Sequence, residues 1–212
     1  MRPRGADSGA DSVVEAVPAV LEGFTVESRL EVRLVEREDL LPLHAVDREV
    51  FGELAYPYFA LRQLFDAHSG EILVARIDGR LCGYSLTMTS RTSDIGWFQG
   101  LGVVPGLRGH RIGRRLACDA LTLLFEHGIQ HVRLAVREEN IVATNLYESL
   151  GFHRTSKEVD YFGSGENRVL MTCRLTQAII RSWSAEVSST PVRTVDVGAV
   201  APDRADAPST PR

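Results

Sequence analysis

One stretch of the chain, residues 95–136, constrains the fold more than any other. Residues 95–104 are predicted to form a strand, apolar side chains recur at helical spacing between Leu116 and Leu124, and residues 132–136 alternate as a second strand. A helix between two neighbouring strands carries the chain back to the edge where it started, so the two strands run parallel. The sheet of this domain must therefore include a parallel pair.

The other predicted elements are mostly antiparallel strands and short helices. Asp78 and Gly79 separate two alternating runs, and their tolerance of positive φ suits the two-residue turn of a β-hairpin. We therefore predict an α+β domain whose mixed, mostly antiparallel sheet is flanked by helices and contains one β-α-β crossover. The predicted strands are 30–34, 72–77, 81–88, 95–104, 132–136, 158–162 and 168–175, and the predicted helices are 39–51, 57–68, one closed by His127 and Gly128, and 141–150.

Both ends of the chain differ in composition from its centre. At about 150 residues per domain, 212 residues amount to one domain with tails rather than two domains. Residues 1–28 mix small and polar residues without sustained periodicity, and small and polar residues dominate from Ser184 onward. We expect a disordered N-terminal tail, a domain at 29–176 and a largely disordered C-terminal tail. An alternative is that the start of the second tail docks on the domain or on a partner through Ile179, Ile180 and Trp183.

The charge balance excludes a polycation that binds nucleic acid or anionic lipid, because 24 basic and 28 acidic side chains give a net charge of −4. Three cysteines stand far apart and six histidines are scattered, so we expect neither a disulfide framework nor a metal site. No apolar run is long enough to span a membrane, and the start of the chain does not resemble a signal peptide. A cytoplasmic protein without a membrane or nucleic-acid partner is expected, and the oligomeric state is left open.

A basic, glycine-containing loop leads from the strand at 95–104 into the following helix. Residues 108–115 contain four arginines and one histidine. A helix start exposes unpaired backbone amides and the positive end of the helix dipole, and glycine lets a phosphate approach the backbone. The loop is thus a candidate anion-binding site, although a basic, solvated helix start fits the same residues. It lacks the Gly-Lys-Ser/Thr of an NTP-binding loop.

A second block of interest opens the predicted helix at 141–150. Asn140, Ala143 and Tyr147 are spaced at i, i+3 and i+7, which places them on one face of a helix. An amide, a small side chain and a phenol therefore point the same way. Judged without its context, a tyrosine at such a position is more often a core residue.

In order and spacing, the two blocks resemble those of the GNAT superfamily of acyl-coenzyme A dependent N-acetyltransferases, and the likeness covers residues 30–175. The pattern N-x-x-A-x-x-x-Y-x-x-x-G-F and the segment 160–168 look most like the ribosomal-protein alanine and protein N-terminal acetyltransferases. This resemblance implies a GNAT-type sheet, acetyl-CoA as the acyl donor and an amine as the acceptor.

The resemblance also implies a role for each matching residue. Tyr147 would protonate the departing thiolate as a general acid, and Tyr56 and Tyr161 would line the acceptor site, although packing roles fit both of these tyrosines equally well. The implied cofactor-binding residues are Leu101, Gly102 and Val103 for the pantetheine arm, Arg108, Gly109, His110, Arg111, Ile112, Gly113 and Arg114 for the pyrophosphate, and Asn140 and Ala143 on the helix.

One departure from the family pattern concerns the phosphate loop. Arg111 stands where the loop usually has its first glycine. We expect its backbone to stay at negative φ, and we expect cofactor binding to be retained because the side chain adds a positive charge near the phosphates.

A second departure concerns proton removal. Gln99 and Ala135 occupy the positions where the family often carries a general base, and neither side chain ionises. An amine must be neutral before it attacks a thioester, and at pH 7 about one in seven α-amines is neutral, against about one in 2,500 lysine side chains. We therefore expect a protein N-terminal α-amine or another low-pKa amine as acceptor. The candidates for a weak, water-relayed base are Glu138, Glu139, Asp160 and Tyr161.

Two other functions fit the same motifs. One is an acetyltransferase for a small amine such as an antibiotic, an amino acid or a polyamine. The other is an acyl-CoA-binding module without catalysis, which the residues at the two base positions favour. Nucleic-acid binding through residues 108–115 is disfavoured, because the net charge is negative and a phosphate ligand already explains the arginines.

Overall fold

The computed structural model describes residues 30–90 and 94–189. The predicted tail at 1–28 and the end of the chain from residue 190 lie outside the described residues. The strands are β1 (Leu30–Leu34), β2 (Ile72–Ile77), β3 (Arg80–Thr89), β4 (Ile95–Val103), β5 (His131–Val136), β6 (His153–Glu158) and β7 (Arg168–Arg174). The α-helices are α1 (Leu40–Phe51), α2 (Tyr58–His68), α3 (Ile112–Glu126), α4 (Ile141–Ser149) and α5 (Gln177–Ser189).

The strands form a seven-stranded sheet in the order β1-β2-β3-β4-β5-β7-β6. β4 and β5 pair in parallel with α3 as the crossover between them, and the other neighbouring pairs are antiparallel. The predicted fold class is confirmed: this is a mixed, mostly antiparallel sheet flanked by helices, with a β-α-β crossover.

β4 and β5 separate before β4 ends. Their parallel pairing runs from Ile95 opposite His131 to Phe98 opposite Leu134, whereas β4 continues to Val103. Along its second half, β4 remains paired with β3 on its other side. The second half of β4 therefore has a backbone edge that β5 does not cover.

A β-bulge lies in β4 where the two strands part. Leu86 of β3 is opposite Gly100 and Thr87 is opposite Phe98, so Gln99 is the additional residue. A bulge bends its strand and re-aims a side chain. Gln99 is accordingly exposed, whereas Phe98 before it is buried.

Helices cover both faces of the sheet. α3 packs on one face through Leu116, Leu121 and Leu124, and α1 packs on the opposite face through Leu43 and Val46, all of them buried. The apolar stripe that predicts α3 is thus its contact with the sheet, and it holds the start of α3 beside the end of β4.

The closing hairpin differs from the prediction. β6 spans His153–Glu158 rather than 158–162, and it pairs with β7 as the exposed edge of the sheet. The prediction was wrong because it followed the aromatic residues Tyr161 and Phe162, whereas a solvated edge strand needs only backbone pairing and carries polar side chains. Asp160 has a left-handed backbone (φ +53°), which is incompatible with a strand through 158–162.

The end of the folded domain also differs from the predicted boundary at 176. α5 spans Gln177–Ser189, and its Ile180 and Trp183 are buried in the core. Apolar side chains three positions apart lie on the same face of a helix, so the two dock together. Helical structure packed against the core therefore continues beyond residue 176.

Candidate active site

A cavity of about 220 Å³ opens where β4 and β5 part. Gln99 and Ala135, the two positions predicted from the resemblance to lack a general base, both face this space. Among the six lining residues, none carries a carboxylate or an imidazole. The lining residues are Trp97, Phe98, Gln99, Ala135, Tyr161 and Phe162.

The connection between β6 and β7, residues 159–167, builds one wall of the cavity. Asp160 Oδ1 accepts a hydrogen bond from the backbone N–H of Gly165 at 2.6 Å, which closes the loop on itself. The rings of Tyr161 and Phe162 meet edge to face with their centroids 4.7 Å apart. The loop thus places two aromatic rings against the opening.

Charged side chains fasten this loop to the sheet. Arg168 is 7% exposed and holds its guanidinium 4.7 Å from the ring centroid of Phe162. Arg168 also donates to Glu166 at 2.8 Å, and Glu166 accepts a further hydrogen bond of 2.7 Å from Arg137, just past the end of β5. The two arginines lower the pKa of the Glu166 carboxyl. The wall of the cavity is therefore tied to β5 and β7.

The loop before α3 turns through two left-handed residues. Gly109 has φ +82°, and Arg111, the N-cap of α3, has φ +63°. The expectation of negative φ at Arg111 was wrong, because the turn requires a conformation that glycine adopts freely and that arginine adopts here at a cost. A Cβ placed on Gly109 would meet nothing within 4 Å, so the loop is open on that side.

The start of α3 offers backbone donors. The N–H of Arg115 donates to the carbonyl of Arg111 at 2.9 Å as a normal helical hydrogen bond. The N–H groups of Ile112, Gly113 and Arg114 come earlier, in the first turn, before the regular i→i−4 pattern of the helix begins. Ile112 is only 1% exposed, which anchors this end of the helix. The first-turn amides lie at the positive end of the helix dipole, as an anion site requires.

The arginines around this helix start have different partners. Arg108 is exposed, and its Nε donates at 3.2 Å to a backbone carbonyl at the end of β4. Arg114 Nη1 donates to Ser149 Oγ at 2.7 Å and so bridges α3 and α4, while Arg115 Nε pairs with Asp119 Oδ2 at 2.6 Å one turn along α3. His110 lies half-buried in the loop. Arg108 therefore contributes an exposed positive charge directly beside the start of α3.

Gly113 brings α3 close to β4. A Cβ on Gly113 would lie 3.6 Å from Val103, 3.8 Å from Leu101 and 4.0 Å from Leu146. The helix start consequently packs directly on the part of β4 that β5 leaves uncovered. Leu101 and Val103 are half-buried there and Gly102 is buried, so the strand offers mainly its backbone edge to a ligand.

The predicted face of α4 is present. Asn140 caps the helix, because its Oδ1 accepts a hydrogen bond of 3.1 Å from the N–H of Ala143. Tyr147 is 8% exposed and packs edge to face between Phe98 and Phe152, with centroid distances of 5.9 Å and 5.7 Å. Burial raises the pKa of the Tyr147 phenol well above its ordinary value, so the hydroxyl stays protonated near neutral pH.

Sequence reasoning missed a buried pair behind β4. Asp47 of α1 accepts hydrogen bonds from the phenol of Tyr84 and, at 2.6 Å, from the backbone N–H of Tyr56. The Tyr84 ring lies so close to β4 that a Cβ on Gly102 would stand 2.8 Å from it. Glycine inside a strand often marks a close approach by another group. Gly100 and Gly102 were therefore the sequence signal that a side chain packs against β4.

Of the remaining predicted site residues, one lines the cavity and the others do not. Tyr161 lines the cavity, whereas Tyr56 is half-buried, packs against the core and is not one of the six lining residues. Among the relay candidates, Glu138 pairs with Lys157 at 2.5 Å, and Asp160 is engaged within its own loop.

None of the helices within residues 30–90 and 94–189 is long and apolar enough to cross a bilayer. The same ranges contain no group of three or more His, Cys, Asp or Glu side chains that could hold a metal ion.

The elements that build the opening coincide with a known family pattern. The model of the "Acetyltransferase (GNAT) family" matches residues 37–152, more than half of the chain. The chain belongs to the GNAT acetyltransferase family. Acetyl-CoA is the acyl donor that this family uses.

Curated relatives of this GNAT protein include mycothiol acetyltransferases. The enzyme of that name from Thermomonospora curvata is 39% identical over 90 residues, which cover 42% of this chain and 30% of the relative. A second, from Stackebrandtia nassauensis, is 35% identical over 95 residues, or 43% of this chain and 31% of the relative. The chain thus spans about a third of the length of the curated relatives it matches.

Solved structures share the fold at low sequence identity. Ard1 from Thermoplasma volcanium superimposes with a TM-score of 0.64 at 20% identity, over 70% of this chain and 99% of that one. Because the identity is low, this likeness concerns the fold. The similarity in fold agrees with the match to the GNAT family.

The residues present suit acetyl-CoA. The left-handed turn at Gly109 and Arg111 leads into the first-turn amides of α3, and Arg108 adds positive charge, which together fit a pyrophosphate. The uncovered edge of β4 at residues 101–103 offers backbone donors and acceptors for the amides of a pantetheine arm. Asn140 keeps its amide N–H₂ for a ligand, since its helix cap uses only Oδ1.

Proposed function

We propose that the chain is an acetyl-CoA-dependent N-acetyltransferase whose acceptor is a low-pKa primary amine, with a protein N-terminal α-amine as the favoured class. The cavity between β4, β5 and the β6–β7 loop carries this proposal. Gln99 and Ala135 face it, and its six lining residues provide no carboxylate or imidazole to take a proton from a strongly basic amine.

The acceptor preference follows from the free energy of deprotonation. An α-amine has a pKa of about 7.8 and a lysine side chain one of about 10.4. At pH 7 the neutral fractions differ by more than two orders of magnitude, or about 3.5 kcal/mol. A site without a strong base therefore favours the α-amine, which needs little help to become neutral.

Tyr147 is the proposed general acid. Bound acetyl-CoA supplies an activated thioester, whose sulfur needs a proton when it leaves. The buried phenol of Tyr147 stays protonated near neutral pH, and it lies on the same α4 face as Asn140 and Ala143. In this proposal its Oη donates the proton to the departing thiolate, while Asn140 holds the cofactor.

A pair of peptides tests the acceptor class. One has a free α-amine and no lysine, and the other has the same sequence with a blocked α-amine and one internal lysine. We expect kcat/KM to be at least about 100-fold higher for the first, measured by thiol release and by mass. Faster acetylation of the blocked peptide contradicts the preference. Binding of acetyl-CoA without thiol release on any acceptor would identify a non-catalytic module.

A small-molecule amine is the second candidate acceptor. The mycothiol acetyltransferases among the relatives favour it, because their name indicates a small-molecule acceptor. A panel of small α-amines, antibiotics and polyamines, assayed beside the peptides, separates the two candidates. A higher kcat/KM for a panel member than for any peptide selects the small molecule.

A cytoplasmic location forms part of the proposal. Cys82, Cys118 and Cys173 are buried and form no disulfide with one another, and burial raises the pKa of the Cys173 thiol to about 11. Thiols that form no disulfide suit a reducing compartment. Imaging of the tagged protein in its own cell tests this location.

A further inference from the structure

Asp47 is a buried carboxylate without a lysine or arginine partner among the described residues that face it. These residues are Tyr84 on β3, Tyr56 between α1 and α2, and His44 on α1 itself. Asp39 is also a fully buried carboxylate in the described part of the chain, but it faces two arginines. A buried carboxylate balanced only by hydrogen bonds is costly, and such groups concentrate at functional sites.

The hydroxyl of Tyr84, which donates a hydrogen bond to Asp47, lies beside β4. Tyr84 Oη lies 3.7 Å from the position that a Cβ on Gly100 would take. Gly100 directly follows Gln99, which lines the cavity. Because both Gly100 and Gly102 lack side chains, the Tyr84 ring and hydroxyl lie directly against the β4 backbone. The pair is thus placed behind β4, one residue along the strand from Gln99, which lines the cavity.

We infer that Asp47 and Tyr84 together accept the proton of the acceptor amine, in place of the base missing at Gln99 and Ala135. This inference rests on the proposed function. An N–H bond of the acceptor ammonium breaks and its proton passes, directly or through one water, to Tyr84 Oη. The hydroxyl proton of Tyr84 passes at the same time to Asp47 Oδ1. The ammonium becomes a neutral amine and the carboxylate a carboxylic acid, so protons and charge balance.

The surroundings of Asp47 suit a proton acceptor. Burial raises the pKa of its carboxyl, while the hydrogen bonds from Tyr84 and the N–H of Tyr56, and the nearby His44, act in the opposite direction. A carboxylate with a raised pKa takes a proton from an amine at a smaller cost than an exposed carboxylate does. After product release, the proton returns to solvent along the same path.

The pH dependence of kcat/KM for a peptide with a free α-amine tests the inference. At pH 6.5 about one in twenty α-amines of pKa 7.8 is neutral. Asp47→Asn and Tyr84→Phe should therefore lower kcat/KM by up to about 20-fold at pH 6.5 and leave it nearly unchanged at pH 9, where the amine is neutral without help. Tyr84→Phe keeps the ring against Gly102, and calorimetry should show unchanged affinity for acetyl-CoA.

Asp119→Asn is the matched control. Burial also raises the pKa of Asp119, but this carboxylate pairs with Arg115 on α3. The pH profile of Asp119→Asn should follow that of the wild type.

If Asp47→Asn and Tyr84→Phe lower kcat/KM by the same factor at every pH, or do not lower it, the inference is overturned and Asp47 has a structural role. If Asp47→Asn does not fold, as judged by thermal unfolding, Tyr84→Phe decides alone. Absence of transfer by the wild type to any acceptor defeats the proposed function instead.

Discussion

Tyr147 combines a packing role and a chemical role in one side chain. Tyr147→Phe keeps the ring contacts with Phe98 and Phe152 and removes only the hydroxyl. We expect turnover to fall about 100-fold or more, the usual contribution of a general acid, with little change in acetyl-CoA affinity or Tm. Single-turnover kinetics and calorimetry provide the two measurements.

Phe152→Leu is the control for Tyr147→Phe. It disturbs the same aromatic cluster but leaves the hydroxyl in place. If turnover changes little in Phe152→Leu and falls strongly in Tyr147→Phe, the loss is caused by the missing hydroxyl proton and not by disturbed packing. Unaltered turnover in Tyr147→Phe, with chemistry shown to be rate-limiting, contradicts the role.

The left-handed backbone of Arg111 predicts which of two substitutions there leaves the protein more stable. Arg111→Ala and Arg111→Gly remove the same charge, but alanine keeps the strain at φ +63° and glycine relieves it. Glycine is therefore expected to be more stable than alanine by about 1 kcal/mol, the reverse of the order at ordinary helical positions. Urea unfolding of the two variants measures the difference. A more stable alanine variant contradicts the strain.

At the residue scale, the sequence predicts what helix geometry dictates and misses what tertiary contacts decide. The common face of Asn140, Ala143 and Tyr147 follows from helical spacing, so it was predictable. The contact of Asp47 with Tyr84 joins residues 37 positions apart, and no local pattern encodes it. The conformation of Arg111 is set by the turn it occupies, since its residue type favours negative φ.

At the element scale, burial decides which elements a sequence reveals. α3 buries a continuous apolar stripe, so its spacing predicts it. β6 is the solvated edge strand, and residues His153–Lys157 are exposed, so no alternation marks it. α5 is a similar case, because only a few apolar side chains, Ile179, Ile180 and Trp183, make its contact with the core and no long apolar stripe marks the helix.

α5 is expected to be a stabilising part of the domain. Trp183 is 4% exposed, and truncation of a buried tryptophan costs about 3 to 5 kcal/mol through lost burial and a cavity. Trp183→Ala should lower the free energy of unfolding by about that amount. Arg181→Ala, two positions away at an exposed site on the same helix, should change it by less than about 0.5 kcal/mol. Equal effects of the two variants would show that α5 does not dock.

At the scale of the whole molecule, the parallel crossover creates the site. β4 and β5 pair only as far as Phe98 and Leu134, and the bulge at Gln99 turns β4 away beyond that point. The opening that results receives the start of α3 from one side and the β6–β7 loop from the other. The sequence predicts the crossover, but the separation of its strands depends on the bulge, which emerges only from the pairing of β3 with β4.

Acid stability of the whole domain depends on Asp39, which joins β1, β2 and the segment before α1. Asp39 accepts hydrogen bonds from Arg33 at 2.7 Å, from Arg76 at 2.5 Å and from the N–H of Glu36 at 2.8 Å. Burial opposes ionisation of Asp39, but the bond from Arg33 and these other groups outweigh it and lower the pKa of the carboxyl. The stabilisation is therefore present above the ordinary pKa of 3.8 and is lost as pH falls through the lower, folded value.

Asp39→Asn tests this arrangement. The variant leaves two arginines without their buried anion, so the free energy of unfolding at pH 7 should fall by about 3 to 5 kcal/mol. Its stability should also decline less than that of the wild type when pH is lowered from 5 to 3, because the titrating group is gone. Asp66→Asn, which breaks only the exposed ion pair with Arg62, should change stability by less than about 0.5 kcal/mol and keep the wild-type acid slope. Urea unfolding across this pH range measures both quantities, and a wild-type acid slope in Asp39→Asn contradicts the assignment.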